Sequence, residues 1–340
     1  MPAEVRTIGH VERILSLHRI PVLGTLPSAE LAMLAEIARE RFFPRGAVLF
    51  REGEPVEAIQ VVVDGAVHVS RKGKLVGHSG PGSAVGGIGV LARDEEGIEA
   101  VADADTLTLE IRADGLFELM EDQFSLFHHV LREVCAQIIT VVSRVPATLQ
   151  QLPPLGRAPA PGLRDLDLVG RIMFLRQSEI FARASINALA ELSRGMAEVR
   201  FEAGQTVWTA GEPSGWVLVL LDGALTATTP GGYRFQMGAG TSPGGLEATA
   251  EAPRWYTAVA ESPVLALHGR MEWVLDLFED NFDMGMDYLA VLARRLLALM
   301  ERTASPDESE LQLMYGCEED ETAPAADPLA AEPSDRGRSG

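Results

Sequence analysis

The chain repeats itself. Shifted by 158 residues, the same residue types recur without a gap from Gly46 to Val141, set against Gly204 to Leu299. Gly46, Gly53, Glu54, Pro55, Asp64, Gly65 and Ala66 meet Gly204, Gly211, Glu212, Pro213, Asp222, Gly223 and Ala224. Gly82, Gly86 and Gly87 meet Gly240, Gly244 and Gly245, and Ala100-Val101-Ala102 meets Ala258-Val259-Ala260. Near the end of each copy, Glu121, Asp122, Phe124 and Leu131 meet Glu279, Asp280, Phe282 and Leu289. A period this long describes two duplicated domains, not a solenoid of short units.

The repeat divides the 340 residues into a first domain over 15–145 and a second over 167–303. Between them, residues 146–166 carry five prolines, which resist helix and central strand and make a semi-extended linker. From Thr303 to Gly340 there are ten Asp or Glu against two Arg. That composition cannot bury enough apolar surface to offset its ordering entropy, so a disordered acidic tail is expected over 304–340. Leu311 to Tyr315 is a small apolar island in it, a candidate short docking motif.

Inside each copy the pattern runs helix, short strands, helix. Ser28 is placed as an N-cap before Leu31, Leu34 and Ile37 at helical spacing, and the second copy has Ile186, Leu189 and Leu192 in that region. Glycines then separate short strands at Val48–Phe50, Ile59–Val63, Val67–Ser70 and Val101–Ile111. Each copy closes with a helix, Phe127–Val145 or Met286–Arg302, apolar at three- and four-residue spacing. This order predicts a mainly β fold with flanking helices, two double-sheet β-rolls in tandem.

The run G-x-V-L-F-x-x-G-E-P…V-V-V-D-G-A-V from Gly46 to Val67 resembles the start of the cyclic-nucleotide-binding domain. G-x-T-V-W-x-x-G-E-P…V-L-L-D-G-A-L from Gly204 to Leu225 is similar. The resemblance implies a double-stranded β-helix, or jelly roll, and a phosphate-binding cassette of the form F-G-E-hydrophobic followed by P-R-x-x-T. In such a cassette, backbone N–H groups at a helix start hold the phosphate, an Arg neutralises it, and the Glu accepts from the ribose hydroxyl. Binding would then move the closing helix, making the fold a switch.

Neither cassette is intact. In the first copy Gly86, Gly87 and Ile88 occupy it, with Gly87 where the family has the ribose Glu. The 158-residue shift sets Glu96 opposite Arg254, the place of the phosphate Arg, so an anion is expected to face an anion. A local shift of the loop would instead offer Arg93. In the second copy Gly244, Gly245 and Leu246 precede Pro253-Arg254-Trp255-Tyr256-Thr257, so P-R-x-x-T is present while the ribose Glu is again glycine. Glu247 stands two residues late. If the stretch is a strand, Tyr256 shares a face with Arg254 and fills the pocket. Arg254 is read either as an internal ion-pair residue or as a retained anion site.

The remaining features bound the function. A formal charge of −20 repels phosphate backbones and anionic headgroups, so neither DNA nor bare membrane is an expected partner. Two cysteines, Cys135 and Cys317, cannot form a disulfide framework, and no stretch reads as a signal peptide or spanning helix; the reading is cytoplasmic. The histidines lack metal spacing, and the single G-x-S-x-G match around Ser242 lacks the strand-to-helix setting of a nucleophile elbow, so no enzyme is expected. Neither the helix-turn-helix of related bacterial activators nor an R-R-x-S/A inhibitor stretch like that of related kinase regulatory subunits is expected.

The expectation is a regulatory or scaffolding protein acting through protein contacts, without a cofactor. The alternative is a sensor in which the second domain alone holds a cyclic nucleotide or other anion through Arg254. The closing helices carry a seam that matches across the repeat: Leu131 with Leu289, Val134 with Leu292, Ile138 with Leu296, Val141 with Leu299. These stripes either pack on their own rolls or join the two domains as a pseudo-dimer. A homodimer through the same stripes is the third arrangement.

Overall fold

The computed structural model describes residues 8–144, 167–178 and 180–303. The linker, the acidic tail with its Leu311–Tyr315 island, and Cys317 lie outside the described residues.

The first domain begins with two helices, α1 (His10–His18) and α2 (Ser28–Ile37). Eight strands follow, interrupted by one short helix. They are β1 (Arg39–Phe43), β2 (Val48–Phe50), β3 (Ala58–Asp64), β4 (Val67–Arg71), β5 (Lys74–Ser79), β6 (Ala84–Val85), then α3 (Gly87–Ala92), β7 (Glu99–Ala102) and β8 (Thr106–Arg112). Helices α4 (Ala113–Asp122) and α5 (Phe124–Arg144) close the domain.

The second domain repeats this order with α6 (Leu168–Leu175), α7 (Ile186–Gly195), β9 (Ala197–Phe201), β10 (Thr206–Trp208), β11 (Trp216–Asp222), β12 (Ala224–Thr228) and β13 (Arg234–Gly238). Helix α8 (Gly245–Thr249), β14 (Thr257–Ala260), β15 (Val264–Arg270), α9 (Met271–Asp280) and α10 (Phe282–Thr303) complete it.

Each domain is a roll of two facing antiparallel sheets. The first has strand orders β1-β8-β3-β6 and β2-β7-β4-β5, the second β9-β15-β11 and β10-β14-β12-β13. The copies agree to the level of irregularities. The register slips between Val62 and Asp64 and again between Leu220 and Asp222, 158 residues on. A β-bulge bends its strand, so a bulge kept at one register keeps one roll curvature.

Three expectations are corrected by the structure. Val101–Ile111 is not one strand, because the chain crosses from one sheet to the other between Ala102 and Thr106. Ser28 is the first helical residue and caps nothing: the cap position is Pro27, whose counterpart Ser185 does accept from the Ala188 amide at 3.1 Å. The closing helices also start earlier than expected, at Phe124 and Phe282.

The duplication reaches further upstream than Gly46. Val11, Arg13, Ile14 and Leu17 of α1 correspond to Val169, Arg171, Ile172 and Leu175 of α6. Each arginine pairs with the matching glutamate of the first strand, Arg13 with Glu40 at 2.8 Å and Arg171 with Glu198 at 2.6 Å.

One apolar cluster runs from the first roll through the closing helices to the helical side of the second domain. The interior of the second roll is a separate, aromatic-rich cluster around Trp208 and Tyr256.

Candidate functional site

Both cassettes fold as the repeat implies, a glycine with positive φ followed by a short helix. Gly86 (φ 90°) precedes α3 and Gly244 (φ 86°) precedes α8. No other residue fits either place. A Cβ on Gly86 would lie 2.9 Å from the Ala58 carbonyl oxygen, and one on Gly244 would lie 2.5 Å from the Arg254 guanidinium.

In the second domain the Arg254 side chain is spent internally. The Arg254 side chain is 0% exposed and its Nη1 is 3.3 Å from Glu247 Oε1. The same Nη1 donates to the Gly244 carbonyl at 3.2 Å, and Nη2 donates to the Trp216 carbonyl at 2.8 Å. Its Cζ lies 4.4 Å from the ring centroids of both Trp208 and Trp216, which meet edge to face. Glu247 thus enters the site from the first turn of α8, as Arg254's own counterion. Burial pushes its carboxyl above the usual range, against the pull of Arg254.

The other second-domain candidates surround this pair. Arg254, Trp255 and Tyr256 precede β14 and are not part of a strand, yet the Tyr256 ring is buried against Trp208 at 5.5 Å. The Tyr256 hydroxyl accepts from the Gly244 amide at 3.3 Å, occupying an N–H of the cassette turn. Trp255 stacks on Phe235 at 5.4 Å, and Thr257 Oγ1 accepts from the Ala210 amide at 3.0 Å. Leu246 is half-buried against the core. On Gly245 a Cβ would lie 3.3 Å from the Tyr288 hydroxyl of α10.

The first domain differs from expectation at Glu96. Its backbone matches that of Arg254: Gly53 donates to the Glu96 carbonyl at 2.7 Å as Gly211 donates to that of Arg254 at 2.8 Å. Its side chain, however, is 66% exposed and reaches Lys72 at 3.0 Å, so no anion faces the cassette from there. The physical reason is the neighbouring cation: Arg71 and Lys72, at the end of β4 and just past it, draw the carboxylate outward. Arg93 is not in the pocket either; its Nη1 pairs with Asp287 of α10 at 3.0 Å. Gly86 and Gly87 line the cassette beside the half-buried Ile88, and a Cβ on Gly87 would meet nothing within 4 Å.

The closing helices reach across to the other domain. Helices α5 and α10 pack on each other, α10 packs on α3, and α5 packs on α8, so each cassette helix is covered by the closing helix of the other copy. Phe127 of α5 meets Phe282 of α10 at 5.4 Å, and α10 comes close enough that a Cβ on Gly285 would lie 2.9 Å from Phe127. Arg294 of α10 donates to the Ala92 carbonyl that ends α3, at 3.3 Å. The seam positions Leu131, Val134, Ile138 and Val141, and Leu289, Leu292, Leu296 and Leu299, are all buried.

An ion-pair cluster around the buried Arg71 fastens the far end of α10. Arg71 bonds Asp94 at 2.5 Å, the Gly97 carbonyl at 2.8 Å and Glu301 of α10 at 2.8 Å, while Lys72 bonds Glu301 at 3.1 Å. Burial works to raise the Asp94 and Glu301 carboxyls, but the hydrogen bonds from Arg71 outweigh it and hold both below the usual carboxylate range. Depressed carboxylates contribute stability that is complete above their unfolded pKa of about 4 and is lost as pH falls through the folded values. This cluster's share of the interdomain contact should therefore be complete above about pH 5 and loosen below about 4. Glu301→Gln should remove part of that acid sensitivity, read as the difference between unfolding midpoints at pH 6 and pH 3.

Two further features complete the survey. The Ser242 hydroxyl oxygen is buried ahead of Pro243 and Gly244, with α8 starting only at Gly245, so no strand-to-helix elbow forms there. Among the described residues no three His, Cys, Asp or Glu are placed to hold a metal, and no helix is long and apolar enough to cross a membrane.

Sequence reasoning did not find Trp208 and Trp216 as partners of Arg254, or Arg71 and Glu301 as an interdomain pair. A signal existed for the first: Trp208 stands where the first copy has Phe50, and the gain of Arg254 accompanies it.

Residues 40–123 match the family model described as the cyclic nucleotide-binding domain. That match lies within the first domain, whose fold the second repeats in tandem. The chain is 27% identical over 107 residues to uncharacterized NTE family proteins of Mycobacterium tuberculosis and Mycobacterium bovis. That match covers 31% of this chain and only 18% of the relatives' length. Among solved structures, the regulatory domain of Toxoplasma gondii PKA with cAMP is similar at 16% identity and a TM-score of 0.32, covering 84% of this chain and 96% of that one. The N-terminal domain of a transcriptional regulator from Streptomyces coelicolor is similar at 24% identity and a TM-score of 0.35, covering 39% and 96%.

Proposed function

We propose that this chain is a non-enzymatic regulatory protein whose two cyclic-nucleotide-binding-like domains have given up the nucleotide and act through protein contacts. The observation that carries the reading is the state of Arg254. A phosphate would have to displace Glu247 from it inside a fully buried aromatic site, and breaking such a pair costs about 3–5 kcal/mol before any ligand contact is made. The first cassette offers no cation to a phosphate, because Arg71 and Arg93 are held by carboxylates.

Support for protein contacts comes from a surface shared by both copies. Val11 and Leu15 on α1 are 69% and 57% exposed, and their counterparts Val169 and Met173 on α6 are 65% and 61% exposed. An apolar pair kept outward at one register in both copies is unlike scattered surface residues.

Titration calorimetry with cyclic AMP and cyclic GMP tests the proposal. No binding tighter than about 10 μM, roughly −7 kcal/mol, is expected. Tighter binding that Arg254→Ala abolishes would replace this reading with the second one, an anion sensor built on the second domain.

A further inference from the structure

The first domain contains a cavity that the second domain has filled. It measures about 190 Å³ and lies between β3, the turn after α1, and helices α2, α4 and α5, with the glycines of the cassette along one side. Its counterpart in the second domain is about 30 Å³. The two are the same place in the repeat, since Leu34, Ile59 and Val61 line the first where Leu192, Val217 and Val219 line the second.

The difference in volume follows from exchanges of large for small side chains between the copies. Where the second domain has Phe181, Phe278 and Tyr288, the first has Leu23, Met120 and Val130. Each of these exchanges replaces a ring by a smaller side chain, and Met196 and Met271 of the second domain stand where the first has Ala38 and Ala113. An interior is normally packed to leave few voids larger than a water, and every unfilled methylene volume is a loss of stability. The second copy proves that this fold closes the space when it is left to pack.

We propose that the first-domain cavity is a binding site for a small uncharged apolar molecule, of the size of one aromatic ring or a short branched chain. The size follows from the volume: an apolar cavity of about 150 Å³ stays dry and accepts benzene. The absence of charge follows from the lining, whose one cation, Arg71, is already held by Asp94, the Gly97 carbonyl and Glu301. Gln137 and Ser83 are the uncharged polar side chains in the lining able to orient a single polar group.

Occupancy would be read by the interdomain contact. Gly86, Gly87 and Gly89 of the cassette line the cavity, and so does Leu297 of α10, which packs on α3 from the other domain. A ligand therefore touches both sides of the junction, in a protein whose nucleotide site is closed. The inference does not depend on whether the second domain binds an anion.

The test uses the full chain with benzene, toluene and indole as probes, followed by calorimetry and by amide hydrogen exchange. Wild type should bind at least one probe with a dissociation constant below about 1 mM, or −4 kcal/mol. Saturation should slow exchange in α3 and around Leu297 at least threefold. Met120→Phe and Val130→Tyr, which import the second domain's own residues, should each weaken binding at least tenfold; two variants guard against one that fails to fold. The proposal is overturned if no probe binds, if both folded variants bind like wild type, or if α3 and α10 exchange unchanged at saturation.

Discussion

Glu247→Ala should unfold the second domain far more easily than any loss of surface charge would. The substitution leaves the Arg254 guanidinium, 0% exposed, without its anion. Arginine cannot shed its proton to escape, so the cost should be about 3–5 kcal/mol. Replacing Arg254 as well, by methionine, should recover part of this, with a coupling on the order of 1–3 kcal/mol. The readout is favourable because all four tryptophans, at 208, 216, 255 and 273, belong to the second domain. Tryptophan fluorescence in urea thus follows that domain alone, and with a slope of about 2 kcal/mol/M the midpoint should fall by roughly 2 M. A shift below about 0.5 M, or strict additivity in the double variant, would show that the pair is not the buried unit described here.

Phe127→Ala should open the junction between the domains. The ring is fully buried, meets Phe282 edge to face and seats against Gly285, so its removal leaves a void on the crossing of α5 and α10. Losing a buried phenylalanine costs about 3–5 kcal/mol, and here much of that should fall on the interdomain contact. A charge at Ile138 or Leu292 should act in the same direction, since both are buried in the closing helices. Small-angle scattering with sedimentation distinguishes the outcomes. A compact wild-type monomer that extends on Phe127→Ala supports the junction. A wild-type dimer would assign the seam to a second chain, and an unchanged scattering profile in the variant would remove Phe127 from the contact.

Much of the architecture was legible because glycine is legible. Positions such as Gly86 and Gly244 tolerate no side chain, so the repeat kept them in register while neighbours diverged, and the register carried the β-roll with it. The apolar stripes of α5 and α10 were readable for the same reason: burial holds a period of three and four. The α1 and α6 match was less visible, because its few shared residues stand apart from the glycine-rich run.

The local sequence determined which groups the two cassettes carry, but not where they point. Glu96 and Arg254 share a backbone position, yet one side chain turns to Lys72 at the surface and the other into a cage of indoles. That choice depends on partners dozens of residues away in the chain, which spacing does not encode. The closing stripes likewise announced burial without naming their cover. Only the tertiary structure decided that each lies on the other domain's cassette helix, because an apolar face specifies that water be excluded and not which surface excludes it.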